Sequence, residues 1–241
     1  MEQIIEQEIK KITVFGIGYV GLANAVVFSN AAEVTLVDIV EEKVNKINNN
    51  ISPFKDKEIE EFLANNPNKL LATTDYKFAL KDSDLVVIAT PTNYDETTHK
   101  FNTASIEDII GKIKENNPSV WVVIKSTISV NYTKDIIKNT GYNKIVFSPE
   151  FLREGRALYD ALHPTRNIIG LPEKTAEYLE FARKYGDLLR NSLRDNNFHL
   201  EVLGSSEAEA IKLFSNAYLA MRVSFFNEID TFASVNGLST R

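Results

Sequence analysis

The sequence contains no cysteine among its 241 residues. This absence excludes disulfide bonds, thiolate metal ligands and a cysteine nucleophile within the chain. A basic excess is also missing, since 27 Lys and Arg residues against 33 Asp and Glu residues give a formal net charge of -6. Because non-specific nucleic-acid binding depends on a basic surface, that function class is disfavoured. We predict no nucleic-acid partner and no metal site.

Long apolar runs are absent as well. No window approaches the ~20 apolar residues of a membrane-spanning helix, and the charged N-terminus lacks the apolar segment of a signal peptide. We therefore predict a cytoplasmic chain without a membrane partner. With 44% hydrophobic and 25% charged residues, the composition is that of a globular protein and excludes general disorder.

Short apolar runs alternate with helical stretches along most of the chain. The runs are rich in β-branched residues, which is typical of strands buried on both faces of a parallel sheet. They are Ile12–Phe15, Val34–Val37, Leu85–Ala89, Val120–Ile124, Lys144–Phe147 and Asn167–Gly170. The helical stretches are Val20–Asn30, Glu41–Asn48 and Ser105–Lys114. This alternation predicts the α/β class, with a doubly wound, Rossmann-like parallel sheet.

The segment from Ser205 to Val235 differs, because it contains neither glycine nor proline. Apolar residues recur there at helical spacing, and about 30 helical residues would span ~45 Å. Ser206 and Glu209 have the spacing of a capping box, and Gly237 is placed to end the helix. We divide the chain into an α/β domain over residues 1–203 and a long connecting helix over residues 204–241.

A glycine-rich motif carries the first functional prediction. Gly16-Ile17-Gly18-Tyr19-Val20-Gly21 is G-x-G-x-x-G; it follows the first predicted strand and opens the first helix. Gly16 permits a tight turn, Gly18 lets a pyrophosphate approach the backbone, and Gly21 allows close packing of helix and strand. A glycine turn without a ligand is the alternative, which the surrounding strand and helix disfavour.

Asp38 selects the cofactor of that motif. It closes the next predicted strand, 22 residues after Gly16. A carboxylate there accepts hydrogen bonds from a ribose 2′-OH and repels a 2′-phosphate, so NAD is favoured over NADP. Lys43 follows on the next helix, where it either approaches the adenosine ribose or remains a solvated helix lysine.

Polar groups follow three further strands, at the ends that form the ligand crevice of an open α/β sheet. These segments are Thr90–Asn93, Lys125–Thr127 and Ser148–Gly155. A fourth group lies on the long helix, where the i,i+4 spacing of Lys212 and Asn216 puts an ammonium and an amide on one face. Each segment alone could be a turn or a solvated surface, but their joint placement favours one site.

Several stretches together resemble the UDP-glucose 6-dehydrogenase family, within the nucleotide-sugar dehydrogenases. They are Gly16–Leu22, Ala89–Tyr94, Lys125–Thr127, Phe147–Glu154, Ser206–Asn216 and Arg222–Glu228. The resemblance implies oxidation of UDP-glucose to UDP-glucuronate, in which two NAD molecules successively take hydride from C6. It also implies a homodimer formed through the long helix.

The resemblance further implies roles for individual residues. Thr127 would line the NAD site and hold a water, Glu150 would act as an acid and base, and Lys212 and Asn216 would stabilise an alkoxide at C6. Burial beside the nicotinamide would lower the pKa of Lys212. The implied catalytic residues are Thr127, Glu150, Glu154, Lys212 and Asn216. The cofactor-binding residues are Gly16, Gly18, Tyr19, Val20, Gly21, Asp38, Lys43, Thr92, Thr127 and Glu154. The substrate-binding residues are Glu150, Phe151, Leu152, Arg153, Glu154, Lys212 and Asn216. For Glu154, a carboxylate at the start of a helix is the alternative.

The sequence departs from the family at one chemical point. The family traps its aldehyde on a cysteine in a Gly-Gly-x-Cys segment downstream of the long helix, and this chain has no cysteine. We therefore expect a fragment without the family's C-terminal UDP-binding domain, unable to complete turnover alone. The alternatives are a non-catalytic NAD-binding module and a sister enzyme for UDP-N-acetylmannosamine, UDP-N-acetylglucosamine or GDP-mannose.

Overall fold

A computed structural model describes residues 8–193 and 198–239. The remaining positions of the two predicted regions, 1–7, 194–197 and 240–241, lie outside the described residues. The strands are β1 (Lys11–Phe15), β2 (Glu33–Val37), β3 (Leu71–Thr73), β4 (Leu85–Ile88), β5 (Tyr94–Asp95), β6 (Lys100–Phe101), β7 (Trp121–Ile124), β8 (Ile145–Phe147), β9 (Asn167–Leu171) and β10 (Leu200–Gly204). The helices are α1 (Tyr19–Phe28), α2 (Glu41–Asn48), α3 (Lys57–Asn65), α4 (Tyr76–Leu80), α5 (Ala104–Asn116), α6 (Tyr132–Thr140), α7 (Ala157–Leu162), α8 (Ala176–Leu193) and α9 (Ser205–Val235).

Eight of the strands form one sheet in the order β10-β9-β8-β7-β4-β1-β2-β3. A separate hairpin pairs β5 with β6. Apolar side chains bury both faces of the large sheet, one core packing under α1, α2, α3, α7 and α8 and the other under α4, α5, α6 and the start of α9. The doubly wound α/β fold predicted from the apolar runs is therefore confirmed, and all six predicted strands are present.

The sheet is mostly parallel, as predicted, and one pair of strands is antiparallel. β9 runs antiparallel to β8, with Phe147 opposite Gly170. A parallel return requires a crossover that carries the chain back along a strand. The connection contains only the six-residue α7, about 9 Å long, whereas a five-residue strand spans about 17 Å. The helical part of the connection is thus shorter than a strand, in keeping with a chain that re-enters the sheet from the same edge.

A buried carboxylate fastens the segment after β8 to the rest of the domain. The Asp56 side chain is 2% exposed. Its Oδ1 accepts a hydrogen bond from Ile59 N at 3.3 Å, and its Oδ2 accepts one from Ala157 N at 2.7 Å. Asp56 thus caps α3 and satisfies the N-terminus of α7 at once, which fixes the end of the loop that precedes α7.

The predicted long helix is α9, with 31 residues. Gly237 ends it at φ +65°, and Leu238 N donates back to Ala233 O at 2.9 Å, the bonding expected of a C-terminal glycine. The first turns pack on the sheet, while the apolar side chains from Phe214 to Val235 are largely exposed, at 44–81%. None of the described helices is long and apolar enough to cross a membrane.

The predicted capping box is wrong. α9 begins after Gly204 without a side-chain cap, and Ser206 Oγ donates to Asn131 Oδ1 at 2.6 Å. Glu209 accepts hydrogen bonds from Asn131 N at 2.6 Å and Thr133 N at 2.8 Å, at the start of α6. A capping box would offer the Glu209 carboxylate one local donor. The buried α6 terminus offers it several, so the long-range contact wins.

Candidate active site

The glycine motif forms the turn between β1 and α1. Gly16 has φ +102°, and a Cβ there would lie 2.6 Å from Ala89 O. A Cβ on Gly21 would lie 1.9 Å from Gly16 O. Both positions therefore require glycine for backbone packing. Gly18 differs, because a Cβ built there meets nothing within 4 Å and the residue lines an open cleft. This open space is what a ligand needs in order to approach the backbone.

Asp38 lies beside this turn at the end of β2. Its Oδ2 accepts a hydrogen bond from Ile17 N at 2.7 Å, and its Oδ1 accepts one from Val40 N at 2.9 Å. An ionised carboxylate has about four acceptor positions, so two remain for ribose hydroxyls. Lys43 Nζ lies 3.7 Å from Asp38 Oδ2. Lys43 is therefore near the carboxylate predicted to bind the ribose, and its own contact with the ribose stays a prediction.

A cleft of about 1160 Å³ opens at the carboxyl ends of β1, β4, β7 and β8. In the sheet, β1 has β2 on one side and β4 on the other, so the strand order reverses at β1. Open α/β sheets bind ligands at such a reversal. The residues of α9 that reach this cleft close one side of it. The predicted residues that line the cleft are Gly18, Tyr19, Val20, Thr92, Thr127, Glu150, Leu152, Arg153, Glu154, Lys212 and Asn216.

Glu154 is not a helix-start carboxylate. The N-cap of α7 is Arg156, so Glu154 lies outside that helix. It lines the cleft with Leu152, in the loop whose left-handed residue is Gly155, at φ +76°. The alternative role for Glu154, a carboxylate at the start of a helix, is therefore excluded. Contact of Glu154 with cofactor or substrate stays a prediction.

Phe151 and Arg153 are placed differently from the other predicted substrate residues. Phe151 does not line the main cleft; its ring lies under two cations, 4.1 Å from the Arg166 guanidinium and 5.3 Å from Lys212 Nζ. Such contacts favour a cation over an aromatic face, so the Phe151 ring stabilises the ammonium of Lys212. The Arg153 guanidinium binds Asp160 through Nε at 2.9 Å and Nη2 at 2.6 Å. Contact with a phosphate would have to compete with that ion pair.

Lys212 reaches the cleft from α9. Its Nζ donates to the backbone oxygen of Glu150 at 2.5 Å. Burial lowers the pKa of Lys212; the carboxylate of Glu150 opposes this shift, and the positive charge of Arg166 adds to it. The direction predicted from the sequence is confirmed. A partly desolvated ammonium of this kind gains most from an oxygen that develops negative charge beside it.

Sequence reasoning missed the partner of Glu150. Lys125, at the end of β7, forms a hydrogen-bonded ion pair with Glu150 Oε1 and is only 3% exposed. A lysine directly after four apolar strand residues was the available signal, since a buried lysine needs a counter-charge. Also missed was the β5–β6 hairpin, which brings Tyr94, His99 and Phe101 to the cleft.

Gly18→Ala tests the cofactor cradle. Gly18 has φ -107° and ψ -174°, which alanine adopts freely. We expect the variant to fold with a loss of less than ~1 kcal/mol. Its Kd for NADH should rise at least ~tenfold, because the methyl group occupies the approach of the pyrophosphate. Fluorescence titration measures this. Gly111→Ala, also in open space but on α5, is the matched control; equal affinity in all three proteins would contradict the assignment.

A second prediction concerns pH and uses Lys212→Met. Because the pKa of Lys212 is lowered from 10.5 in the folded chain, the unfolded chain binds this proton more tightly, and the contribution of Lys212 to stability rises with pH. We expect wild type to gain free energy of unfolding relative to Lys212→Met as the pH rises from the lowered pKa toward 10.5, the value of the unfolded chain. Urea unfolding of both proteins measures the difference, and a pH-independent difference would contradict it.

Comparison with known proteins places this geometry in a family. Residues 10–185 match the profile described as UDP-glucose/GDP-mannose dehydrogenase family, NAD binding domain. Residues 206–241 match the profile of the central domain of the same family. The chain belongs to the UDP-glucose/GDP-mannose dehydrogenase family. It carries the NAD-binding domain of that family, and NAD is the cofactor of this domain, as the glycine motif and Asp38 predicted.

Curated relatives agree with this placement. The chain is 50% identical to the UDP-glucose 6-dehydrogenase of Campylobacter jejuni over 95% of its own length, and 43% identical to that of Streptococcus pneumoniae over 96%. It spans 58% and 59% of those two proteins. The resemblance stated from the sequence motifs is therefore confirmed.

Solved structures share the fold. A GDP-mannose dehydrogenase from Pseudomonas aeruginosa aligns with a TM-score of 0.79 at 28% identity, over 95% of this chain and 54% of that one. A UDP-glucose dehydrogenase from Pyrobaculum islandicum aligns with a TM-score of 0.81 over 98% and 56%. At 24% identity, the second alignment supports the fold alone.

Proposed function

We propose that this chain is the NAD-binding part of a UDP-glucose 6-dehydrogenase, which oxidises C6 of the sugar in two steps. The observation that carries the proposal is the single cleft joining the glycine turn to Glu150, Lys212 and Asn216. The 50% identity to a protein of that name supports the choice of reaction. A cytoplasmic location and a homodimer through α9 belong to the same proposal, the latter supported by the exposed apolar side chains of that helix.

The residues of the turn fit the cofactor. Gly18 leaves open space at the cleft, and Asp38 retains acceptor positions for a ribose. When bound, NAD supplies the acceptor for the hydride that leaves C6. Tyr19, Val20, Thr92, Thr127 and Glu154 would complete its site, with Lys43 beside Asp38.

Side chains of this chain would stabilise the negative charge that develops on the sugar. Loss of hydride from C6 requires the C6 oxygen to lose its proton, and charge develops on that oxygen. The ammonium of Lys212 and the amide of Asn216, one turn apart on α9, would stabilise this oxygen. Glu150 would serve as the acid and base in the later hydrolysis, and Thr127 would hold a water. Because the chain contains no cysteine, we expect it not to complete the second oxidation by itself.

Two measurements test the proposal. NADH titration of this chain should give saturable binding, weakened in Asp38→Ala; absence of saturation would refute the cofactor assignment. The complete gene product should then form two NADH per UDP-glucose. Binding without any NADH formation would favour a non-catalytic NAD-binding module.

The sister substrates remain a second candidate, favoured by the alignment with a GDP-mannose dehydrogenase. Assay of the complete gene product with GDP-mannose, UDP-N-acetylmannosamine and UDP-N-acetylglucosamine separates the possibilities. The proposal expects the highest kcat/KM for UDP-glucose, and a higher value for any of the other three would replace it.

A further inference from the structure

Glu150 lies between two lysines that contact it in different ways. Lys125 pairs with its side-chain oxygen Oε1, whereas Lys212 contacts only its backbone oxygen, at 2.5 Å. The carboxylate therefore has two neighbouring cations: it can pair with Lys125, as observed, or with Lys212, on which it already acts electrostatically. Only one of these arrangements leaves the Lys212 ammonium free for an oxygen in the cleft.

The site of Lys125 is built around its ammonium. Ser148 Oγ donates its proton to Ile168 O at 2.9 Å, so it can only accept from other groups. It accepts from Tyr185 OH at 3.3 Å and from Lys125 Nζ at 3.4 Å. Lys125, Ser148 and Tyr185 are all buried. The network thus fixes the ammonium in place and presents it to Glu150.

Stability alone gives a weak reason for such an arrangement. Taking a lysine and a carboxylate out of water costs free energy that their attraction often does not recover. A buried ion pair at a cleft is better explained by the geometry that it specifies, especially where a second cation competes for the same carboxylate.

We propose that Lys125 is a positioning residue that holds the Glu150 carboxylate away from Lys212. This inference rests on the proposed function, since Lys212 must be free to stabilise a charged oxygen of the substrate. Without the ammonium of Lys125, the Glu150 carboxylate turns to Lys212 and neutralises it. Lys212 then remains in the cleft, but its ammonium is paired with Glu150 and is not free for an oxygen of the substrate.

Movement of the Glu150 carboxylate to Lys212 would change the acid dissociation constant of Lys212, which can be measured. Lysine labelled with ¹³C at Cε gives a signal that follows ionisation of Nζ, and Lys212→Arg assigns the signal. The charged groups facing Lys212 are Glu150 and Arg166. In Lys125→Met we expect the acid dissociation constant of Lys212 to fall at least ~tenfold, because a carboxylate moves into contact with the ammonium. Lys125→Met/Glu150→Gln should return it to the wild-type value or above, since no carboxylate is left to move.

The control is Lys46→Met, which removes a lysine paired with Glu42 on α2 and should leave Lys212 unchanged. If Lys125→Met does not fold, Lys125→Leu is held to the same criterion, because its side chain also offers Glu150 neither a charge nor a hydrogen-bond donor. A fall of less than ~tenfold in a folded variant would overturn the proposal. The titration needs no substrate, so it remains decisive even if the complete gene product oxidises no nucleotide sugar, a result that would refute the proposed function alone.

Discussion

The Lys212→Met form of the complete gene product is expected to turn over its nucleotide sugar ~10²–10³ times more slowly than wild type. Losses of this size follow removal of one preorganised group that stabilises a developing oxyanion. Lys212 meets the conditions for such a group, since it lines the cleft and burial lowers its pKa. Steady-state kinetics with UDP-glucose and NAD measure kcat and KM separately.

The pattern of change identifies the role of Lys212. Because the ammonium acts on the sugar oxygen, kcat should fall while the Kd for NADH stays within ~twofold of wild type. Lys184→Met is the control; this lysine lies on α8 and pairs with exposed Glu180. A loss of turnover below tenfold, or an equal loss of NADH affinity, would show that Lys212 does not stabilise charge at the reacting carbon.

The residues that could be predicted from the sequence follow from local rules. A buried central strand shows as an uninterrupted apolar run, and the side chains just after it lie at one edge of a parallel sheet. The segments that contain Thr92, Thr127 and Glu150 were found in this way, and the structure brings these residues into one cleft. β3 and β10 were missed, because β3 has only three residues and β10, at the sheet edge, is only partly buried and mixes polar with apolar residues.

The contacts that could not be predicted join residues far apart in the chain. Lys125 and Glu150 are 25 residues apart, and Glu209 is 76 residues from Thr133. No local spacing rule covers such pairs. The capping-box rule failed at Ser206 for this reason, since Glu209 matched a local pattern and was bound elsewhere. The antiparallel β9 is similar, because its direction depends on the path of the whole connection from β8 and not on a local pattern.

Glu209 is a buried link between the start of α9 and the α/β domain, and its loss should be costly. Its side chain is fully buried, and its oxygens accept hydrogen bonds from Asn131 N, Thr133 N and, at 2.6 Å, Thr133 Oγ1. Glu209→Ala leaves these donors without an acceptor, at ~1–3 kcal/mol for each buried group. Burial raises the pKa of Glu209, so removing the buried charge returns part of this loss. We expect a net decrease of ~2–4 kcal/mol in the free energy of unfolding.

Urea unfolding measures that decrease, and amide hydrogen exchange locates it. In wild type the amides of Asn131 and Thr133 should exchange only on large-scale opening, whereas in Glu209→Ala they should exchange through local fraying of α6. Ser206→Ala is the matched control, because it removes an exposed hydrogen bond to Asn131 from the same turn of α9 and should cost less than ~1 kcal/mol. Equal losses in the two variants would mean that α9 is held by its apolar contacts alone. If Glu209→Ala is destabilised as expected, Glu209 holds the first turn of α9 and the start of α6 together. The position of Lys212 in the cleft then depends on a carboxylate one turn before it.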